Sequence, residues 1–190
     1  VRDVPELRGK GYALQHGLDH LALDPPECIV FLDADSSYVR GAPADLAELV
    51  KATGRPVQGV FRMEAGEGGS LSERVAALAV RVKNDLRVRG LARVGGAVSL
   101  LGSNFALPWS ACQAVPLPEG ELAEDAVLGW RLADAGLAPL HTTRAACEGR
   151  LARGGEATRI QRGRWERGTL LGSWRVLPGV LARAALRGRP

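Results

Sequence analysis

The order of apolar and polar residues divides the chain into alternating helical and extended segments. Leu14, Leu18, Leu21 and Ala22 recur at helical spacing in the stretch Gly11–Leu23, which Pro25-Pro26 closes. The continuous apolar run Cys28-Ile-Val-Phe-Leu32 lies between those prolines and a pair of acids, and it predicts a short strand buried on both faces. Pro43–Thr53 predicts a helix with Leu46, Leu49 and Val50 on one side and Gly54 as its stop. Pro56–Met63 predicts a second strand.

Ser70 and Glu73 form a capping-box signature for a long helix reaching about Arg89. Its apolar stripe is Leu71, Val75, Leu78, Ala79, Val82 and Leu86, with Arg74, Arg81 and Lys83 outside it. Gly95-Gly96 then leads into an expected strand over Ala97–Leu101 and a Gly102-Ser103-Asn104 loop. A helix over Glu121–Ala135 ends at Gly136, and a strand follows near Leu137–Thr142. Thr158–Leu170 predicts a basic helix, and residues 174–187 an amphipathic one. Strands alternating with helices indicate an α/β sandwich around a largely parallel sheet, in one domain without internal repeats.

Charge changes this picture at one end. Residues 143–190 carry 11 Arg against 3 Glu, a net of +8, whereas residues 1–142 carry 14 Lys and Arg against 18 Asp and Glu, a net of −4. A basic tail on an acidic body calls for an anionic partner, phosphate groups or a lipid surface. Nucleic acid is not expected, because stacking aromatics are not interleaved with the arginines. The three cysteines have neither disulfide-framework nor metal-ligand spacing, which fits a reducing compartment. No run of about 18 apolar residues is present, so no segment here spans a bilayer. The chain does not begin with Met, and an excerpt from a longer protein is expected.

Four groups of residues carry candidate chemistry. Asp33-Ala34-Asp35 follows the first apolar strand, where open α/β sheets place ligands. In extended geometry the two acids point the same way and can share one site, one carboxylate on a divalent ion and the other on the ion's partner, and oxygen donors with phosphate suit Mg²⁺ or Mn²⁺. The same Asp-x-Asp also fits a haloacid-dehalogenase-type phosphatase with Asp33 as nucleophile, or an acidic turn. Glu124-Asp125 opens a helix, where it either stabilises the N-terminus or offers a carboxylate to take a proton. Gln161-Arg-Gly-Arg164-Trp165 pairs a guanidinium fork with an indole platform. Lys10, between Gly9 and Gly11 at a helix start, suits an anion. His16 and His20 read as a surface pair, His141 as structural or peripheral to the cleft, and Trp109 as core packing.

In order, Lys-Gly-Tyr-Ala-Leu, strand, Asp-Ala-Asp, Gly-Ser-Asn, Glu-Asp and Gln-x-x-Arg-Trp resemble the family 2 glycosyltransferases of GT-A fold. Within that family they resemble the membrane-associated branch that includes cellulose and hyaluronan synthases. The resemblance covers about residues 7–170. It implies a GT-A-type three-layer sandwich with a mostly parallel sheet, residues 1–170 forming a partial catalytic core and 171–190 a basic, membrane-proximal segment. It implies metal-dependent inverting transfer from a nucleotide-sugar donor to a hydroxyl of a saccharide or lipid acceptor.

Carried over by position, Asp125 is the expected general base with Glu124 beside it, and Asp35 the expected metal ligand. Lys10, Asp33, Gln161 and Arg164 are expected on the donor and its diphosphate. Trp165, Ser103 and Asn104 are expected on the acceptor side, Ser103 standing where members often have Thr. The resemblance further implies work at the cytoplasmic face of the cell membrane, with transmembrane segments outside this excerpt. The family's opening strand and base-binding loop with its early Asp are not seen at the N-terminus, around Val1, so the donor site is expected to be incomplete. The competing expectations are the phosphatase and a catalytically inactive module that docks an anionic surface.

Overall fold

In the computed structural model, residues 9–41, 43–151 and 155–186 are described, without the side chains of 155–162, 164 and 184. Helix α1 spans Lys10–Leu21, strand β1 Cys28–Phe31, β2 Ser37–Arg40, α2 Pro43–Thr53 and β3 Val57–Glu64. Helix α3, Leu71–Arg81, runs through a π-helical turn, Val82–Leu86, into α4, Arg87–Arg93. The chain continues with β4 Phe105–Pro108, α5 Trp109–Ala114, α6 Glu124–Asp134, β5 Leu140–Arg150 and α7 Gly155–Leu186.

The expected α/β class is what the chain adopts. Its sheet is mixed, in the order β1-β4-β3-β5-β2. Only β3 and β5 pair in parallel, and the β1–β4, β3–β4 and β2–β5 pairs are antiparallel. The mostly parallel sheet expected from the alternation is therefore corrected. After the helical segment Leu71–Arg93 and the Gly102–Asn104 turn, β4 inserts between β1 and β3 and runs antiparallel to both.

Alternation along the strands separates two faces. Phe31, Phe105 and Leu107 meet Leu18 of α1, Ala111 of α5 and Leu128 and Leu132 of α6. Cys28, Val30, Ala106 and Val57 meet Leu46 and Val50 of α2 on the other side. Phe31 and Phe105 stack with ring centroids 4.6 Å apart. A third cluster joins Phe61 and Met63 of β3 to Ala76, Val88 and Trp165. Helices thus cover both faces of the sheet, and β1, β3 and β5 all point their carboxyl ends the same way.

Ser70 Oγ accepts from Glu73 N at 3.3 Å while Glu73 Oε2 accepts from Ser70 N at 2.7 Å, so the expected capping box is formed. Other expectations are corrected. Ala97–Leu101 is not a strand; Val98, Leu100 and Leu101 are buried as irregular chain, and pairing begins at Phe105. Strand β1 lies at the sheet edge with one neighbour, so only Phe31 of its residues is fully buried. The stripe Leu71, Val75, Leu78, Val82 and Leu86 faces outward, because α3 packs on the sheet through the small Ala76 and its neighbours Ala77 and Val80. The two expected C-terminal helices are one, unbroken past residue 170 and containing Pro178.

Candidate active site

The cleft forms where four distant segments meet at the carboxyl end of β1. Lys10 begins α1, and Gly11 behind it admits no side chain: a Cβ there would lie 2.8 Å from the carbonyl oxygen of Pro118. That contact fixes the helix start against the loop leading to α6. The Lys10 ammonium donates to Asp33 Oδ1 at 2.5 Å and to the Gly102 carbonyl at 2.6 Å, and it lies 3.5 Å from Glu124 Oε1. Gly102 stands at φ +84°, and a Cβ on it would meet Asp125 Oδ2 at 3.4 Å and Lys10 Nζ at 3.9 Å. Lys10, Gly102, Glu124 and Asp125 line one narrow cleft, floored by Leu14, Phe105 and Leu128.

Charge in this cleft is unbalanced. Three carboxylates, Asp33, Glu124 and Asp125, gather around one ammonium. Asp125 rises from an ordinary value near 3.8 to about 6, chiefly by burial, then by the neighbouring Glu124, while Lys10 acts in the opposite direction. A carboxyl titrating near 6 in a cleft is suited to accept a proton at neutral pH.

The turn after β1 differs from the extended geometry expected of it. Ser36 N donates to the Asp33 carbonyl at 3.0 Å, so Asp33-Ala34-Asp35 curls into a turn. Asp33 faces Lys10, and its backbone N–H donates to Ser103 Oγ at 3.0 Å. Asp35 is exposed and makes no hydrogen bond or ion pair among the described residues. Those residues contain no cluster of three or more His, Cys, Asp or Glu able to cage a metal. A lone outward carboxylate does fit an ion that takes its remaining oxygens from phosphate and water, as Mg²⁺ habitually does.

Ser103 and Asn104 are wholly buried. Asn104, in the left-handed region at φ 56°, sends Nδ2 to the carbonyls of Val60 at 2.8 Å and Ala145 at 3.3 Å. It fills a register shift, since Gln58 pairs with His141 but Val60 with Ala146. Gly59 must be glycine there, because a Cβ would approach Asn104 Nδ2 to 2.4 Å. Neither side chain reaches the surface; both hold the loop that presents Gly102 to Lys10.

Gln58 had no place among the sequence candidates, although it organises that loop. Fully buried, its Nε2 lies within 2.8, 2.9 and 3.1 Å of the carbonyls of Gly59, Ser103 and Asn104, and Oε1 accepts from Leu101 N at 3.0 Å. A polar residue at an inward strand position was the only available signal. His141 sits behind it, with Nδ1 3.1 Å from the Gln58 carbonyl, and burial pushes its pKa down.

Helix α7 packs against α6 and the residues leading into it. Gly168 and Gly172 let it approach α6, where added Cβ atoms would lie 2.8 Å from Leu122 Cβ and 2.9 Å from Val127 Cγ2. Trp165 is half-buried against the Phe61–Met63 cluster. The side chains of Gln161 and Arg164 lie outside the described residues. Trp109 packs against the first core cluster, as expected.

Comparison with known proteins adds a family and a fold. The sequence model of "Glycosyl transferase family group 2" matches residues 28–188. No curated protein matches the chain. Among solved structures, a mannosyltransferase from Pyrobaculum calidifontis in complex with GDP-Man and Mn²⁺ is 21% identical with a TM-score of 0.55, over 88% of this chain and 44% of that one. Glucosyl-3-phosphoglycerate synthase from Mycobacterium tuberculosis, in complex with phosphoglyceric acid, is 20% identical with a TM-score of 0.54, over 100% of this chain and 58% of that one. The same enzyme in complex with Mn²⁺, UDP-glucose and phosphoglyceric acid gives a TM-score of 0.53. The chain therefore spans about half the length of the structures it resembles.

Proposed function

This chain belongs to glycosyl transferase family group 2, and from that premise we propose that it transfers a sugar from a nucleotide-sugar donor to a hydroxyl acceptor in the Lys10–Asp125 cleft. The observation carrying this reading is the convergence of four separate segments on one cleft: Lys10 of α1, Asp33 after β1, the Gly102 loop, and Glu124-Asp125 at the start of α6. Family membership sets aside the phosphatase reading of Asp33.

In this mechanism Asp125 accepts the proton of the acceptor hydroxyl as that oxygen attacks the anomeric carbon, with inversion. Its raised pKa suits this role, since a carboxylate of ordinary acidity is a weaker base. Lys10 holds Asp33 in place, pairs with Glu124 and moderates the rise in the pKa of Asp125. A diphosphate entering a cleft with three carboxylates and one ammonium would be repelled, and Asp35 with the diphosphate oxygens would hold a divalent ion there. Bound Mg²⁺ or Mn²⁺ supplies charge neutralisation for the departing diphosphate. The family resemblance assigns Gln161 and Arg164 to that diphosphate and Trp165 to the acceptor side, while Ser103 and Asn104 act through the loop they hold.

We place the protein at the cytoplasmic face of a membrane, in the branch resembling cellulose and hyaluronan synthases, with a saccharide or lipid acceptor. Supporting this are the basic C-terminal charge and the exposed Trp174, Leu181 and Leu186 on α7. Among the described residues no helix is long and apolar enough to cross a membrane.

The test is release of nucleoside diphosphate from a panel of nucleotide sugars with Mg²⁺ or Mn²⁺. Asp125→Asn is expected to lower turnover by about 10²-fold or more, the scale of a lost general base. Undiminished turnover in that variant overturns the base assignment, and absence of turnover with every donor overturns the transferase reading.

A further inference from the structure

The outward stripe on α3 and the π-helical turn is larger than packing requires. Leu71 is 77% exposed, Val75 57%, Leu78 60%, Val82 48% and Leu86 62%. Their spacing keeps all five on one face over roughly 20 Å of helix. Contiguous apolar exposure of this extent marks a surface that meets another phase or molecule. The opposite face, through Ala76, Ala77 and Val80, is already committed to the core.

Charge around the stripe selects the occupant. Residues 71–93 contain six bases and two acids, a net of +4. Both acids are engaged locally. Glu73 closes the capping box, and Asp85 is buried, accepting from Arg62 at 3.0 Å and pairing with Arg89. The exposed charges left are cationic: Arg74 and Arg81 on one flank, Lys83 and Arg87 on the other, and Arg93 at the end. An apolar ridge bordered on both sides by bases matches helices that lie in an anionic bilayer interface, leucines in the acyl boundary and cations among the headgroups.

We propose that α3 with its π-helical turn is a docking surface for an anionic lipid bilayer, lying in the interface through Leu71, Val75, Leu78, Val82 and Leu86. This surface is distinct from the cleft and from α7, and it goes beyond the transferase reading without depending on it. Docking through α3 fixes the catalytic body by a second contact.

The experiment is sedimentation of the 190-residue chain with vesicles of equal phosphatidylglycerol and phosphatidylcholine, and with phosphatidylcholine alone. Comparison variants are Leu78→Gln/Leu86→Gln, whose side chains are exposed so the fold is kept, and Trp174→Ala/Leu181→Gln on α7. Circular dichroism and size-exclusion elution are measured for each. The expected result is binding to the anionic vesicles that weakens at high salt and falls about 10-fold or more in the α3 variant. Unchanged binding in the α3 variant, loss only in the α7 variant, or equal binding to the neutral vesicles each overturns the proposal. So does a wild-type dimer that the α3 variant dissociates with no vesicle binding, which would make the stripe a contact between copies. Nucleotide-sugar turnover is not read, so failure of the transferase reading leaves this result intact.

Discussion

Lys10, the first residue of α1, and Asp33, in the turn that follows β1, are joined by an ammonium–carboxylate hydrogen bond of 2.5 Å. The same ammonium also reaches the Gly102 carbonyl and Glu124. A single cation therefore sets the relative positions of the turn after β1, the glycine loop and the start of α6. Because the pair is about one-third exposed, solvent screens it and its worth lies in positioning more than in stability.

The Ala126 backbone N–H and, after it, the Lys10 ammonium hold the pKa of Asp125 down, and replacing Lys10 by Met removes the second of these. The acid limb of the kcat/KM profile is expected to move above pH 6 by up to about one unit, the scale of one charge acting at partly screened distance. Donor KM is expected to rise as Asp33 loses its anchor. The pH profile distinguishes this from a general loss of fold, which would scale the curve without moving it.

Asp125→Asn separates activity from stability. The folded pKa of about 6 exceeds the ordinary 3.8, so the native state favours the protonated form. Stability linked to this group is unchanged below about pH 4, falls as pH rises from 4 to 6, and stays reduced above that. The upper bound is about 3 kcal/mol at 1.36 kcal/mol per unit. Asn removes the cost, so the variant is expected to melt higher than the parent at pH 7.5 and to lose that advantage below pH 4. Thermal unfolding at the two pH values checks it.

Gln58→Leu keeps the volume and removes the amide that serves Leu101 N and three carbonyls. Stranding these buried groups is expected to cost about 2–4 kcal/mol. Denaturant unfolding measures it. Activity is expected to fall further than stability alone explains, since the Gly102 loop is freed.

Gly102→Ala puts a methyl in the left-handed region and 3.4 Å from Asp125 Oδ2. Strain of about 1 kcal/mol is expected, with a larger proportional loss in kcat because the methyl crowds the proton-accepting oxygen. Unfolding and turnover measured on the same preparation separate the two effects.

Asp35→Asn leaves a side chain that is exposed and unengaged among the described residues, so stability is expected to stay within about 0.5 kcal/mol of the parent. The Mn²⁺ concentration for half-maximal turnover is expected to rise about 10-fold or more. An unchanged metal requirement removes Asp35 from the metal site.

Much of this protein is written in local chemistry. The Ser70–Glu73 capping box, the Pro43–Thr53 helix, the run Cys28–Phe31 and the glycine stop at Gly136 each depend on neighbours within a few residues, so the sequence alone determined them. The order of Asp33-Ala-Asp35, Glu124-Asp125 and Gln161–Trp165 likewise identified the family, because motif order survives without coordinates. Only the tertiary structure decided that β4 runs antiparallel between β1 and β3, and that Ser103 and Asn104 are buried supports. It also decided that Gln58 ties the loop and that the α3 stripe faces solvent. Periodicity says which side chains share a face of a helix; which face meets the sheet depends on how closely the backbones approach, and Ala76 permits the closer contact.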